Sequence, residues 1–145
     1  GEYTSEPHAA LEIASAMLLI AGSAPTQMQN SAPMRDAADK YLENFMSRNE
    51  GSLDANDFLY AVSASRNYDP SPGLDKIAIP LMWVNSADDF INPPELGIAE
   101  REVKRLKNGR FVLLPASEQT YGHGTHTHAA VWQQYLKQLL DESAH

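Results

Sequence analysis

Two apolar runs limit what this chain can build. Ile79-Pro80-Leu81-Met82-Trp83-Val84 and Phe111-Val112-Leu113-Leu114 are continuous apolar stretches of strand length, the pattern of strands covered on both faces. Between them lies a charged segment with Leu96, Ala99, Val103 and Leu106 at helical spacing, closed by Asn108-Gly109. A second amphipathic segment, marked by Trp132, Tyr135, Leu136 and Leu139, runs to about Ser143. Strand, helix, strand, helix predicts a parallel pair with a right-handed crossover. Two strands alone do not make a stable parallel sheet, whose faces and edges all need cover. Residues 69–145 are therefore expected to be the trailing edge of a larger sheet in an α/β fold.

Each apolar run ends in a polar loop. The first is followed by Asn85-Ser86-Ala87-Asp88-Asp89-Phe90-Ile91-Asn92-Pro93, in which Asn92 is placed to cap the next helix with Pro93 at its first position. The second leads to Tyr121-Gly122-His123-Gly124-Thr125-His126-Thr127-His128. An acid after one strand and a histidine after the next is how two members of a Ser-His-Asp triad are carried at one edge of a parallel sheet.

Residues 1–68 have a different character. Ser5-Glu6-Pro7 reads as a helix start, with Ser5 as the cap and Pro7 in the first turn. Leu11, Ile13, Ala14, Met17, Leu18 and Ile20 then make a surface apolar over most of a helix, one that wants cover on several sides. Gly22 to Ser31 reads as a loop. A second helix is expected from Ser31–Pro33 to Asn49–Gly51, with Ala38, Tyr41, Leu42, Phe45 and Met46 on one face. A third begins at Asp54, with Asp57 in its first turn and Phe58, Leu59 and Val62 on its apolar side. Asp69-Pro70-Ser71-Pro72-Gly73 is a strong breaker and sets the boundary between the halves.

Composition removes several classes. A net charge of −8 over 145 residues does not suit a nucleic-acid groove. The one basic cluster, Arg101, Lys104, Arg105, Lys107 and Arg110, reads as a solvated helix face. With no cysteine there is no disulfide framework and no thiolate metal site. No stretch reaches the roughly 18 apolar residues of a membrane span. The longest candidate, Ala9 to Ala21, contains Glu12 and lacks the basic flank of a signal peptide.

At the acid and histidine loops the chain resembles the α/β-hydrolase superfamily, and more narrowly its homoserine O-acetyltransferase-like branch. Asp89-Phe90-Ile91-Asn92-Pro93 is similar to that family's acid loop, an Asp with Pro four residues later, and Tyr121-Gly122-His123 is similar to its Gly-His loop. The resemblance covers nearly the whole chain. It implies that residues 1–68 are a helical cap and residues 69–145 the C-terminal part of the core. It implies Asp89 and His123 as the triad acid and base. The spacing to Pro93 selects Asp89 over Asp88, which would turn outwards or bond local backbone. The preceding Gly122 favours His123, with His126 as the alternative base, and His128 begins the last helix as a structural or exposed residue.

Two departures shape the expected activity. The family's nucleophile elbow is missing, because neither Gly22-Ser23 nor Gly51-Ser52 has the flanking pattern and Ser86 lies on no elbow. The nucleophile is then expected on a segment before Gly1 or on a separate chain, the main partner called for here. The acetyltransferases proper follow Gly-His with Asp, where this chain has Gly124. That favours a serine-dependent acyl-ester hydrolase or another acyltransferase acting on a small-molecule acyl ester. A homoserine O-acetyltransferase is the alternative, with acetyl-CoA as substrate rather than cofactor, and a non-catalytic interaction domain is the second. No cofactor is called for, and self-association stays open. His123, His126 and His128 are close enough to suggest zinc, but no carboxylate stands at a ligand spacing beside them. Trp83 and the methionines read as core or acyl-pocket wall, and Tyr3, Tyr41, Phe45 and Tyr60 as candidates for a substrate channel.

Overall fold

A computed structural model describes residues 2–50 and 53–144. Gly51 and Ser52, at the expected end of the second helix, lie outside the described residues. The chain forms two compact units, Gly1–Ala21 with Met28–Asp69, and Gly22–Gln27 with Pro70–His145. The second unit takes in Gly22–Gln27, which the sequence groups with the helical half.

In the first unit α1 spans His8–Gly22, α3 Arg35–Glu50 and α4 Ala55–Ala64. Pro7, not Ser5, stands at the start of α1, where its carbonyl accepts from Ala10 N at 3.0 Å and Leu11 N at 3.1 Å. Proline suits that place because its missing N–H has no helical partner there. Only Leu11, Ser15 and Leu19, one line at four-residue spacing, are buried along α1. Ile13, Met17, Leu18 and Ile20 are exposed, so the broad apolar surface finds cover on a single stripe. Tyr41, Phe45 and Met46 of α3 and Phe58 of α4 are half-buried, whereas Leu42, Leu59 and Val62 are exposed. The Asp54 carboxylate caps α4 by accepting from Asn56 N and Asp57 N at 2.9 and 3.0 Å. Tyr3 donates its hydroxyl to the same carboxylate at 2.6 Å, and Glu6 accepts from Ala55 N at 3.1 Å. The Tyr3 hydroxyl, followed by the two backbone donors, holds the Asp54 carboxyl below its usual range.

Gly22 to Ser31 is not simply a loop: Pro25–Ser31 forms α2. Pro25 opens it, and proline at the first helical position is pre-set for helix, a signal outweighed on paper by the surrounding Gly, Ser, Gln and Asn.

The second unit is built on β1, Leu81–Ser86, and β2, Gly109–Leu114, which pair in parallel with Trp83 opposite Phe111 and Ser86 opposite Leu114. Trp83 and Phe111 meet edge to face at 6.0 Å. Ile79 is exposed and precedes the strand, which begins where Leu81 N donates to Asn108 O. The strands are half-buried along most of their length rather than covered on both faces. Two strands with α5 (Ile98–Glu102) and α6 (Ala129–Ser143) supply too little cover for more. The connecting helix is also shorter than its spacing suggests. Pro94 restrains Pro93 to extended backbone (φ −66°, ψ 126°), so Asn92 and Pro93 do not start a helix. A single 3₁₀ turn follows, then Gly97 at φ 61°, and only then α5, with Ala99 and Leu106 buried and Leu96 exposed.

Candidate active site

The end of β1 and the loop after β2 meet at the strands' C-terminal edge. β1 continues one bond past its last residue, with Ala87 N donating to Leu114 O at 2.8 Å, and the chain then turns as Asp89 N donates to Ser86 O. This turn puts Asp89 inside, 4 % exposed. Its Oδ1 accepts from Ile91 N at 2.8 Å and Asn92 N at 3.0 Å. Its Oδ2 faces His123 Nδ1 at 3.2 Å and Asn92 Nδ2 at 3.3 Å. Burial pushes the carboxyl's pKa up. The Asn92 backbone N–H, then His123, the Asn92 amide and Ile91 N outweigh it, and the carboxyl lies below its usual range.

Asn92 Nδ2 also lies 3.4 Å from His123 Nδ1. A ring nitrogen that donates to Asp89 has no lone pair for Asn92, so the Asn92 amide is left to Asp89. Asn92 thus acts as a partner of the acid, not as a helix cap. Its carbonyl is held by Asn85 Nδ2 at 2.8 Å. Among the described residues no hydrogen bond reaches His123 Nε2.

The histidine turn needs a glycine at 122. Gly122 has φ +58°, and a Cβ there would lie 2.8 Å from Ser23 O and 3.2 Å from Asp88 O. Ser86, 2 % exposed, points its hydroxyl at Gly122 O (3.0 Å) and Thr125 Oγ1 (3.2 Å), while Thr125 Oγ1 accepts from Tyr121 N at 2.8 Å. Ser86 thus fastens the histidine loop to the end of β1. Asp88 does not turn outwards or bond local backbone: its Oδ2 accepts from Thr120 Oγ1 and Gly122 N, across to the histidine loop. The sequence marks Asn92 only as a helix cap, and Thr120 and Thr125 only as small polar residues beside and within the histidine loop.

The three histidines diverge. His126 donates Nδ1–H to His123 O at 2.6 Å and receives Trp132 Nε1 on its carbonyl. His128 sits at the start of α6 and stacks on Tyr121 at 3.8 Å. Among the described residues no group of three or more His, Cys, Asp or Glu side chains is arranged to hold a metal. Asp89, Asn92, His123 and His126 line a cleft of about 470 Å³, walled by Trp83, Val84, Leu114 and Trp132. Of the channel candidates, Tyr3 is spent on Asp54 and Tyr60 is exposed.

A parallel strand pair with its helices, and an acid loop and a histidine loop at one edge, is part of an α/β-hydrolase fold. The chain is similar to the crystal structure of homoserine O-acetyltransferase from Bacillus anthracis, with a TM-score of 0.76 over 94% of this chain. Sequence identity is 13%, so the likeness carries the fold and not the reaction, and the chain spans 42% of that protein's length. No family profile and no curated protein matches the sequence.

Proposed function

We propose that this chain carries the acid and the base of a serine-dependent acyl-ester hydrolase or acyltransferase. The observation that carries this reading is the buried Asp89 carboxylate on His123 Nδ1, with Nε2 without a hydrogen bond among the described residues. In such a pair the carboxylate fixes the tautomer with hydrogen on Nδ1, so that Nε2 presents a lone pair. Nε2 would take the proton of a serine hydroxyl as it attacks an acyl carbonyl, and Asp89 would stabilise the imidazolium formed. The same proton then goes to the leaving alcohol, which departs and leaves an acyl-serine. Water or a second alcohol, deprotonated by Nε2, attacks that ester and regenerates the serine. The serine and the oxyanion donors come from a segment outside these 145 residues. On this reading, residues 1–68 correspond to the helical cap region that the family resemblance implies.

The acceptor separates two versions. Gly124 after His123 favours water or an acceptor other than homoserine; the fold neighbour's name favours acetyl transfer to homoserine, for which the family resemblance implies acetyl-CoA as donor. The full-length enzyme should release p-nitrophenol from short acyl esters, and its consumption of acetyl-CoA should not depend on homoserine. Homoserine-dependent consumption would establish the acetyltransferase. Turnover of neither would leave a non-catalytic interaction domain.

A further inference from the structure

The loop after β1 carries two adjacent acids, and the proposed chemistry uses one. Asp88 Oδ2 accepts from the Thr120 hydroxyl at 2.8 Å and from Gly122 N at 3.3 Å. Both donors belong to the histidine loop, and Gly122 is the residue before His123. Thr120 is itself 1 % exposed, and its oxygen accepts from Ser117 N at 2.9 Å. Its single proton lies between Asp88 Oδ2 at 2.8 Å and Ser117 O at 2.9 Å, and a carboxylate takes the stronger bond. Ser86 holds the same glycine by its carbonyl, at 3.0 Å. Gly122 is thus gripped on its N–H by Asp88 and on its C=O by Ser86, in a left-handed conformation that only a glycine enters readily.

We propose that Asp88 is a positioning residue. It anchors Thr120 and Gly122 to the end of β1 and so sets the backbone path that delivers His123 Nδ1 to Asp89. Its effect on rate rests on the reading of His123 as the base; its effect on the His123–Asp89 contact does not. Asp88 Oδ1, buried and without a hydrogen-bond partner among the described residues, separates positioning from simple stability. Asp88→Asn keeps one oxygen able to accept both bonds, but without the charge that strengthens them, and puts an amide NH₂ at the buried Oδ1 position. It should therefore lower stability yet hold the loop, whereas Asp88→Ala loses both anchors.

The test uses the full-length enzyme and follows the downfield proton resonance of His123 Nδ1–H at low temperature, beside the melting temperature and steady-state ester hydrolysis. Asp88→Ala should abolish or strongly broaden the resonance. It should lower kcat about 100-fold, the scale of a roughly 1 Å misplacement of a reacting group, with KM changed less than about threefold. Asp88→Asn should restore the resonance and at least about tenfold of the lost kcat, despite a lower melting temperature. Thr120→Val, which removes one of the two anchors, should broaden the resonance to an intermediate degree, and it decides the matter if Asp88→Ala does not fold. An intact His123 resonance in folded Asp88→Ala, or in Thr120→Val where the alanine variant fails to fold, would overturn the proposal. So would a resonance lost equally in the alanine and asparagine variants. Because the resonance does not depend on turnover, it decides the point even in an enzyme that hydrolyses no ester.

Discussion

Asp89→Asn changes one atom and separates what the carboxylate does for the loop from what it does for His123. Oδ1 is committed to two backbone donors, Ile91 N at 2.8 Å and Asn92 N at 3.0 Å. An asparagine will keep its oxygen there, because the flipped amide would set NH₂ against two N–H groups. The new NH₂ therefore takes the Oδ2 position, 3.2 Å from His123 Nδ1 and 3.3 Å from Asn92 Nδ2. There it donates to His123 Nδ1, which must offer a lone pair, and the ring proton moves to Nε2. A protonated neutral Nε2 cannot accept the serine proton. Tautomer reversal of this kind costs about 10⁴ in kcat, or about 5.5 kcal/mol of barrier. Stability should suffer less, since both backbone bonds survive; the bond lost is the charge-assisted one from Asn92 Nδ2, about 1.5–3 kcal/mol, and that amide must turn away from the new NH₂. The assay is kcat for a p-nitrophenyl ester with the full-length enzyme, beside thermal melting and the ¹⁵N shifts of His123. A folded variant with kcat within tenfold of the parent, or with hydrogen still on Nδ1, would refute the reasoning.

Three further outcomes follow from the same geometry. His123→Ala in the full-length enzyme should lower kcat by several powers of ten, and His126→Ala by less than about tenfold; near-normal turnover of His123→Ala would move the base to His126. Gly122→Ala should destabilise the enzyme by about 1–3 kcal/mol for the left-handed conformation, and by more for the contact of its Cβ with Ser23 O at 2.8 Å, read as a lower melting temperature. The Asp89 carboxyl lies below its usual range in the folded state, so its contribution to stability is complete above the unfolded value of about 3.9 and is lost as pH falls through the folded value. The acid limb of melting temperature against pH should therefore be less steep in Asp89→Asn than in the parent, and parallel limbs would contradict the assignment.

The parts of the fold that the sequence shows plainly are those where one local signal meets no competitor. Asp54 before an apolar helical stretch becomes an N-cap, and the two apolar runs become a parallel pair. Asp89 and His123 stand on the loops read from the residues, and the chain brings them into contact. The misread elements are those where two signals conflict or where the deciding neighbour is distant in sequence. Pro25 starts a helix among residues that favour loops. Pro94 overrides the Asn92-Pro93 start by holding Pro93 extended. Asp88 is drawn inward by Thr120 and Gly122, more than 30 residues on, which no local pattern reveals. The exposed side of α1 and the half-buried strands have a common cause: burial is set by what packs against a segment, and the pattern states only what a segment can cover.

The central claim is that this chain holds an acid and a base whose serine lies elsewhere. Labelling the full-length enzyme with a fluorophosphonate and mapping the adduct by peptide mass spectrometry tests it most directly. The expected result is a single modified serine outside these 145 residues, with labelling lost in His123→Ala. An adduct on Ser86 or on any other serine of this chain, or labelling that does not depend on His123, would contradict it.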